Sequence, residues 1–306
     1  MIDIIMGYEC NVECDYCTIT REMRTRNMTT ASVASALEEG ARAGMKEAAF
    51  GGGEPTIRKD LVKLVSLAKN LGYATIKISS NGLMYAYPEY VDKLLEAGAT
   101  QFNIPLMGHT AAAYRTIMGQ ERHLDLVRKG VVHLVSRSAL VVGDVIMKND
   151  TYRHLEGTVE YWAELGVEHF VFWLVSLTDR NAANRESLVT VTEMRPWMVA
   201  AFDGARRRGI KVYSRHIPRC MLPGYHDHVW DVRKERIYVV TPESRFWLSE
   251  SRITANTFVG KCDGCAIRQR CMGIRQDYLD TMGDGEVAPL SPADAAAMAD
   301  VEGAGL

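Results

Sequence analysis

At 306 residues, with 47% hydrophobic and 24% charged side chains, the chain has enough material for one large core, alone or with a small accessory unit. Its formal charge of −2 lacks the basic footprint of a nucleic-acid binder, so no nucleic-acid partner is expected. No apolar run has the length of a spanning helix and no charged start leads into a signal core, so no membrane partner is expected and a cytoplasmic location is; there, seven cysteines argue for metal or redox chemistry rather than disulfides.

Residues 2–6 form a short apolar strand, followed by a long loop at 11–27 rich in Arg and Thr. Thr29 or Thr30 caps a helix whose Ala, Val and Leu recur at helical spacing until Gly44. A strand at 47–50 then runs into Gly51, Gly52, Gly53, Glu54 and Pro55. Helical and extended patterns alternate from there: helix 61–71, strand 75–79, helix 87–97, strand 101–106, helices 110–118 and 124–136, strand 139–147, helix 154–165, strand 169–175, helix 192–207 and strand 210–214. Strands separated by helices predict a parallel sheet with crossover helices. Six principal strands, starting at Ile2, Glu47, Thr75, Gln101, Ala139 and His169, with a short one at Ile210, predict an α/β fold of open, partial (β/α)6 TIM-like barrel type. In such barrels the working groups sit at the carboxyl ends of the strands.

The rhythm changes near Arg215. A hairpin is predicted at 236–250, then come Cys262, Cys265 and Cys271, and the end is rich in Ala, Gly and Asp. The expected division is a barrel at 1–214, a small cysteine-bearing unit at 215–284, and a short helix (292–299) with a loose tail within 285–306.

Cys10, Cys14 and Cys17, in CNVECDYC, are spaced i, i+4, i+7 on the loop leaving the first strand. Thiolates so placed can converge on one face as iron-sulfur ligands, and three protein sulfurs on a [4Fe-4S] cube leave one iron open. The alternatives are a zinc knuckle or three buried thiols, but no second CxxC or HxxxH lies near to complete a zinc tetrahedron.

The position, the spacing and the aromatic Tyr16 just before the third cysteine resemble the signature of the radical S-adenosylmethionine (SAM) superfamily. That resemblance implies a [4Fe-4S] cluster that chelates the amino and carboxylate groups of SAM. Gly52, Gly53, Glu54 and Pro55 resemble its GGEP motif: glycine lets backbone approach a ligand, and Glu54 offers a carboxylate to the methionine ammonium. The plainer alternative is a tight βα turn. Ser79, Ser80 and Asn81, before Gly82, resemble the segment that reaches ribose. Met147, with Lys148 and Asn149, and Trp173 and Leu174, with Val175, end the strands where the superfamily packs adenine; Tyr16 is a further adenine contact. The implied reaction is reductive cleavage of SAM to a 5′-deoxyadenosyl radical, which takes a hydrogen atom from an unactivated C–H bond. The protein's share is binding, orientation and exclusion of side reactions, with a flavodoxin- or ferredoxin-type reductant as partner.

Cys262, Cys265 and Cys271 have a spacing similar to the auxiliary-cluster domains called SPASM and twitch. Cys220 can complete four ligands for a second [4Fe-4S] cluster, so that three plus four uses all seven cysteines. Zinc is the alternative metal. Cys220 has a second reading as a free thiol that returns a hydrogen atom to a substrate radical, which would make an epimerase. Because the sequence begins on its first strand, with no leader-binding module ahead, the expected substrate is a small biosynthetic intermediate (sugar, nucleoside or amino acid), and a short peptide is the alternative. A reading of another class, a non-catalytic iron-sulfur electron carrier, leaves the GGGEP and SSNG runs without a purpose.

Overall fold

The computed structural model describes residues 1–230, 235–251 and 257–298. Seven parallel strands form the body of one sheet: β1 (Ile2–Ile5), β2 (Glu47–Gly51), β3 (Thr75–Ser79), β4 (Gln101–Pro105), β5 (Leu140–Met147), β6 (His169–Leu174) and β7 (Lys211–Arg215). Each lies beside its neighbour in sequence, in the order β7-β6-β5-β4-β3-β2-β1. The connections carry α1 (Thr30–Arg42), α2 (Leu61–Asn70), α3 (Pro88–Ala97), α4 (Ala111–Met118), α5 (Arg122–Val135), α6 (Leu155–Glu164) and α7 (Val191–Arg207). The sheet curls, because Asp3 on β1 and Arg215 on β7 line the same cavity although five strands lie between them. Its ends stay apart in the strand order, so the barrel is partial, as the alternation of elements predicts.

Local sequence explains the elements. Thr29 caps α1 by accepting the Ser32 N–H (3.1 Å), and Val33, Ala36, Leu37 and Gly40 recur at helical spacing as its buried face. In α2, Leu61, Leu64, Val65 and Ala68 do the same. A fully buried Leu or Val contributes about 1.5–3 kcal/mol, so this layer between helices and sheet is where stability accumulates.

Three differences from the sequence reading stand out. Lys211–Arg215 is a full seventh strand, paired with β6 over five residues. The hairpin, β8 (Tyr238–Val240) and β9 (Arg245–Trp247), forms as expected but does not stand apart: β8 pairs in parallel with β1 and β9 antiparallel with β8. Without β8, β1 would be an edge with unpaired N–H and C=O groups. A helix not foreseen, α8 (Gln276–Met282), packs Tyr278 into the core. The expected terminal helix is α9 (Pro292–Ala297), opened by a Ser291–Asp294 capping box; the tail expected at 299–306 lies outside the described residues. No helix of the described residues is long and apolar enough to cross a membrane.

Candidate active site

The loop after β1 leaves and returns beside itself: Tyr8 N–H donates to Arg26 O (3.3 Å) and Met28 N–H to Met6 O (2.9 Å). Side chains from later in the loop and from beyond it occupy its backbone carbonyls. Arg24 donates to Cys10 O (3.2 Å) and Val12 O (3.1 Å), and Arg180 donates to Cys14 O (3.1 Å). With its peptide groups held, the loop keeps three half-buried thiols free of disulfides. Burial pushes the Cys10 thiol up, and burial followed by the charges of Cys17 and Cys10 pushes Cys14 up to about 12. The three thiols share one short loop, and replacing their protons with metal is the chemistry that relieves the cost of burying them. Burial, then the charges of Cys14 and Cys17, pushes the Tyr16 hydroxyl well above its ordinary value.

Beyond β2 the chain continues as a rail for this loop. Gly53 N–H donates to Gly7 O and Glu54 N–H to Glu9 O, both at 2.8 Å. A Cβ on Gly52, whose φ is +125°, would stand 2.2 Å from Gly7 O, and one on Gly53 would stand 2.1 Å from Glu9 O. The bare backbone there, read from sequence as room for a ligand, is filled on that side by the chain itself. Glu54 is only 2% exposed. Its Oε1 accepts from Thr56 N–H (2.8 Å), Thr56 hydroxyl and Ser80 hydroxyl (2.8 Å), and its Oε2 from Asn81 N–H (2.7 Å). Burial raises its pKa against the pull of these donors. Pro55 opens the short helical turn Pro55–Ile57, which presents Thr56 to Glu54. Asn81 closes the ring by donating to Asn11 in the cysteine loop (2.8 Å). Cys10, Cys14, Cys17, Gly52 to Pro55, Ser80 and Asn81 thus form one connected cluster at the carboxyl ends of β1 to β3.

The barrel interior carries charged and amide side chains among apolar ones. Alternation along each strand sends the flanking apolar residues out to the helices and turns Asp3, Lys77, Asn103, Asp144, Trp173 and Arg215 inward. They surround a cavity of about 290 Å³ that Ser79 also lines. Trp173 donates its indole N–H to Asp144 Oδ1 (2.8 Å). Burial raises Asp144, and raises Asp3 to about 6, while burial and then the Arg275 and Arg215 charges push His216 down to about 3. The sequence reading selected only Ser79 and Trp173 from this set. A partial signal is present: one or two charged or amide residues interrupt each of the otherwise apolar strands β1, β3, β4, β5 and β7. Met147 and Leu174 point the other way, into the packed layer between sheet and helices, at 0% and 3% exposure. They back the strand ends without facing the cavity. Lys148, one residue on, is buried and bonded to Asp15 in the cysteine loop.

Cys220, Cys262, Cys265 and Cys271 meet around one hollow, with Pro218, Ile267 and Ile274 also in its wall. Burial pushes Cys220 up to about 11, and the other three thiols push in the same direction. Among the described residues, the hollow's lining holds four sulfurs and no His, Asp or Glu, a thiolate donor set that suits iron-sulfur or zinc chemistry. Among the described residues, no group of three or more His, Cys, Asp or Glu side chains stands at the spacing of a single-ion site.

Comparison with known proteins fits this geometry. Among curated relatives, the probable GTP 3',8-cyclase of Methanopyrus kandleri is 28% identical over 166 residues, covering 54% of this chain and 53% of that protein. The PqqA peptide cyclase of Xanthomonas campestris pv. campestris is 27% identical over 204 residues, 66% of this chain and 54% of that protein. The chain spans about half the length of these relatives. In structure it is similar to Streptococcus suis SuiB (TM-score 0.62, 13% identity, 79% of this chain and 58% of that one). It is also similar to anSMEcpe, solved with bound AdoMet and a Kp18Cys peptide (TM-score 0.57, 16% identity, 70% and 63%). Both share the fold. The relatives named as cyclases, and the family itself, set the electron-carrier reading aside. The profile of the Radical SAM superfamily matches residues 4–162, from β1 through α6, and so takes in the cysteine loop and the strand ends that brace it. This chain belongs to the radical SAM superfamily and is an enzyme.

Proposed function

We propose that Cys10, Cys14 and Cys17 hold a [4Fe-4S] cluster with SAM on its open iron, and that the barrel cavity takes a small biosynthetic intermediate from which a hydrogen atom is abstracted. The single observation that carries this reading is the connected cluster of thiols, Glu54, Ser80 and Asn81 standing at the strand ends beside a cavity lined by charged side chains. When bound, the cluster supplies the electron that cleaves SAM and so generates the 5′-deoxyadenosyl radical. Everything else falls to the chain's residues. Glu54 has one oxygen fully engaged and one with a single donor, so it can both fix the strand ends and accept from an ammonium. Gly52, Gly53 and Pro55 hold the rail. Ser79, on the cavity side of β3, and Trp173, on that of β6, are the contacts assigned to SAM or substrate, with Tyr16 beside the cluster loop and Met147 and Leu174 supporting from behind.

Cys220, Cys262, Cys265 and Cys271 are assigned a second [4Fe-4S] cluster, within a unit at 215–284 whose hairpin docks on the β1 edge of the barrel; 285–306 is kept as a short tail segment. The gathering of four thiols favours Cys220 as a ligand over a free hydrogen donor. Electrons come from a flavodoxin- or ferredoxin-type partner. A peptide substrate is the second reading, favoured by likeness to a PqqA peptide cyclase over 66% of the chain.

The test is iron and sulfide content with low-temperature EPR on anaerobically reconstituted protein, for wild type, a Cys10/Cys14/Cys17 triple alanine variant and Cys220→Ala. About eight irons in wild type, about four in the triple variant, and a spectral change with SAM only when the triad is intact are expected. About four irons in wild type and none in the triple variant would remove the second cluster from the proposal. Full iron retention in Cys220→Ala would return that residue to the hydrogen-donor role.

A further inference from the structure

The Arg215 guanidinium is held in the barrel cavity between two indoles, 4.6 Å from the Trp173 ring and 4.0 Å from the Trp230 ring. Cation–π contact with these two rings leaves the edge of the guanidinium plane for hydrogen bonds. That edge is incompletely used. Among the described residues the nearest carboxylate, on Glu235, stands 3.7 Å from Nη2, and the buried Nε–H has no partner. A buried donor left unmade costs more than a typical hydrogen bond contributes, so its retention asks for an occupant.

The occupant's charge follows from the groups that face this arginine. Asp144 is already engaged by the Trp173 indole N–H and Lys77 by Glu47, while Asp3 and Glu235 remain as acids in the same cavity. Those acids disfavour a dianion. A single carboxylate lying in the guanidinium plane forms two parallel N–H···O bonds and adds one negative charge only. At about 290 Å³ the cavity is close to the lower bound of about 300 Å³ for ligand sites, which suits a small molecule.

We propose that Arg215, clamped between Trp173 and Trp230, is the anchor for the carboxylate of a small monocarboxylic acid substrate inside the barrel. This rests on reading the cavity as the substrate site. Glu235 acts as the competing anion that holds the guanidinium in place until the substrate arrives.

The test uses anaerobically reconstituted full-length protein and saturation-transfer NMR with four probes: propanoate, L-alanine, propanamide and inorganic phosphate. Propanoate and L-alanine should bind wild type at least about ten-fold more tightly than propanamide, and Arg215→Met should lose at least about ten-fold towards both carboxylates. Arg215→Lys, which keeps the charge without the planar fork, should recover less than half of that loss on a logarithmic scale. Glu235→Gln removes the competitor and should tighten propanoate by about three- to five-fold, a gain that misfolding cannot produce. Equal binding of propanoate and propanamide, a preference for phosphate, or unchanged propanoate affinity in both Arg215→Met and Glu235→Gln each overturns the proposal. Formation of 5′-deoxyadenosine from SAM by reduced wild type is measured separately. Its absence alongside carboxylate binding would sink the radical reading and leave the anchor standing, and its presence without carboxylate binding would do the reverse.

Discussion

The ammonium of Lys148 lies 2.7 Å from Oδ2 of Asp15, joining the residue after β5 to the residue between Cys14 and Tyr16. Lys148 is 3% exposed and also bonds Asp150 at 2.6 Å. A buried cation thus fixes the cysteine loop to the far side of the barrel mouth, where the loop's own short-range contacts give it no anchor.

Lys148→Met removes the cation and leaves two carboxylates facing an apolar chain. Breaking a buried pair from one side costs about 3–5 kcal/mol. Denaturant unfolding of the apo-protein should report a loss in the lower part of that range, because Asp15 and Asp150 are partly open to water, and reconstituted Lys148→Met should hold less iron than wild type. An unchanged unfolding midpoint would show that the pair is idle.

Glu54→Gln exchanges an acceptor-only group for one that also donates. Oε1 and Oε2 together receive four donors, so one amide N–H must face another donor. We expect about 2–3 kcal/mol of destabilisation before any cofactor is present. The comparison is thermal unfolding of the apo forms; equal stability would mean that Glu54 serves a ligand only.

Gly53→Ala drives a methyl to 2.1 Å from Glu9 O, a backbone atom that cannot swing aside. A loss above about 3 kcal/mol, or failure to fold, is expected. Gly285→Ala, with nothing among the described residues within 4 Å of the added carbon, should change stability by less than about 0.5 kcal/mol and serves as the control.

Asp3 has its pKa raised by burial from 3.8 to about 6, with Arg215 and Lys77 pulling the other way. Between those values the native state holds a proton that the unfolded state has released, so stability falls as pH rises from about 4 to about 6, by up to about 3 kcal/mol. Above that window the full penalty is in place. Asp3→Asn should abolish this component and be the more stable form at pH 7. Urea titrations of both apo-proteins across pH 4 to 7 give the difference curve; parallel curves would show that Asp3 titrates normally.

The site was legible in the sequence where chemistry and spacing coincide within a few residues. The sequence reading names the cysteine triad, Glu54 and the Ser80–Asn81 pair, because each lies on or just after a strand end that periodicity locates. For Gly52 and Gly53 the structure adds a reason the sequence does not give, the close approach of their backbone to Gly7 and Glu9. Whether bare backbone admits a ligand or a neighbouring strand depends on what lies across from it, and Gly7 and Glu9 are more than 40 residues away in sequence. Asp3, Lys77, Asn103, Asp144 and Arg215 were passed over because each looks like an ordinary polar residue in its own strand. Only when β1 through β7 curl do they face one another.

By itself the sequence determined the superfamily, the parallel α/β rhythm and two sets of cysteines, since these depend on residue identity at short, countable separations. Tertiary structure decided which thiols meet, that the late hairpin pairs with β1, that Met147 and Leu174 face outward while Trp173 faces in, and that an arginine rests between two tryptophans in the barrel. Those outcomes depend on strand register and sheet curvature, which are set by the packing of all the helices at once and leave no trace in any one stretch of the chain.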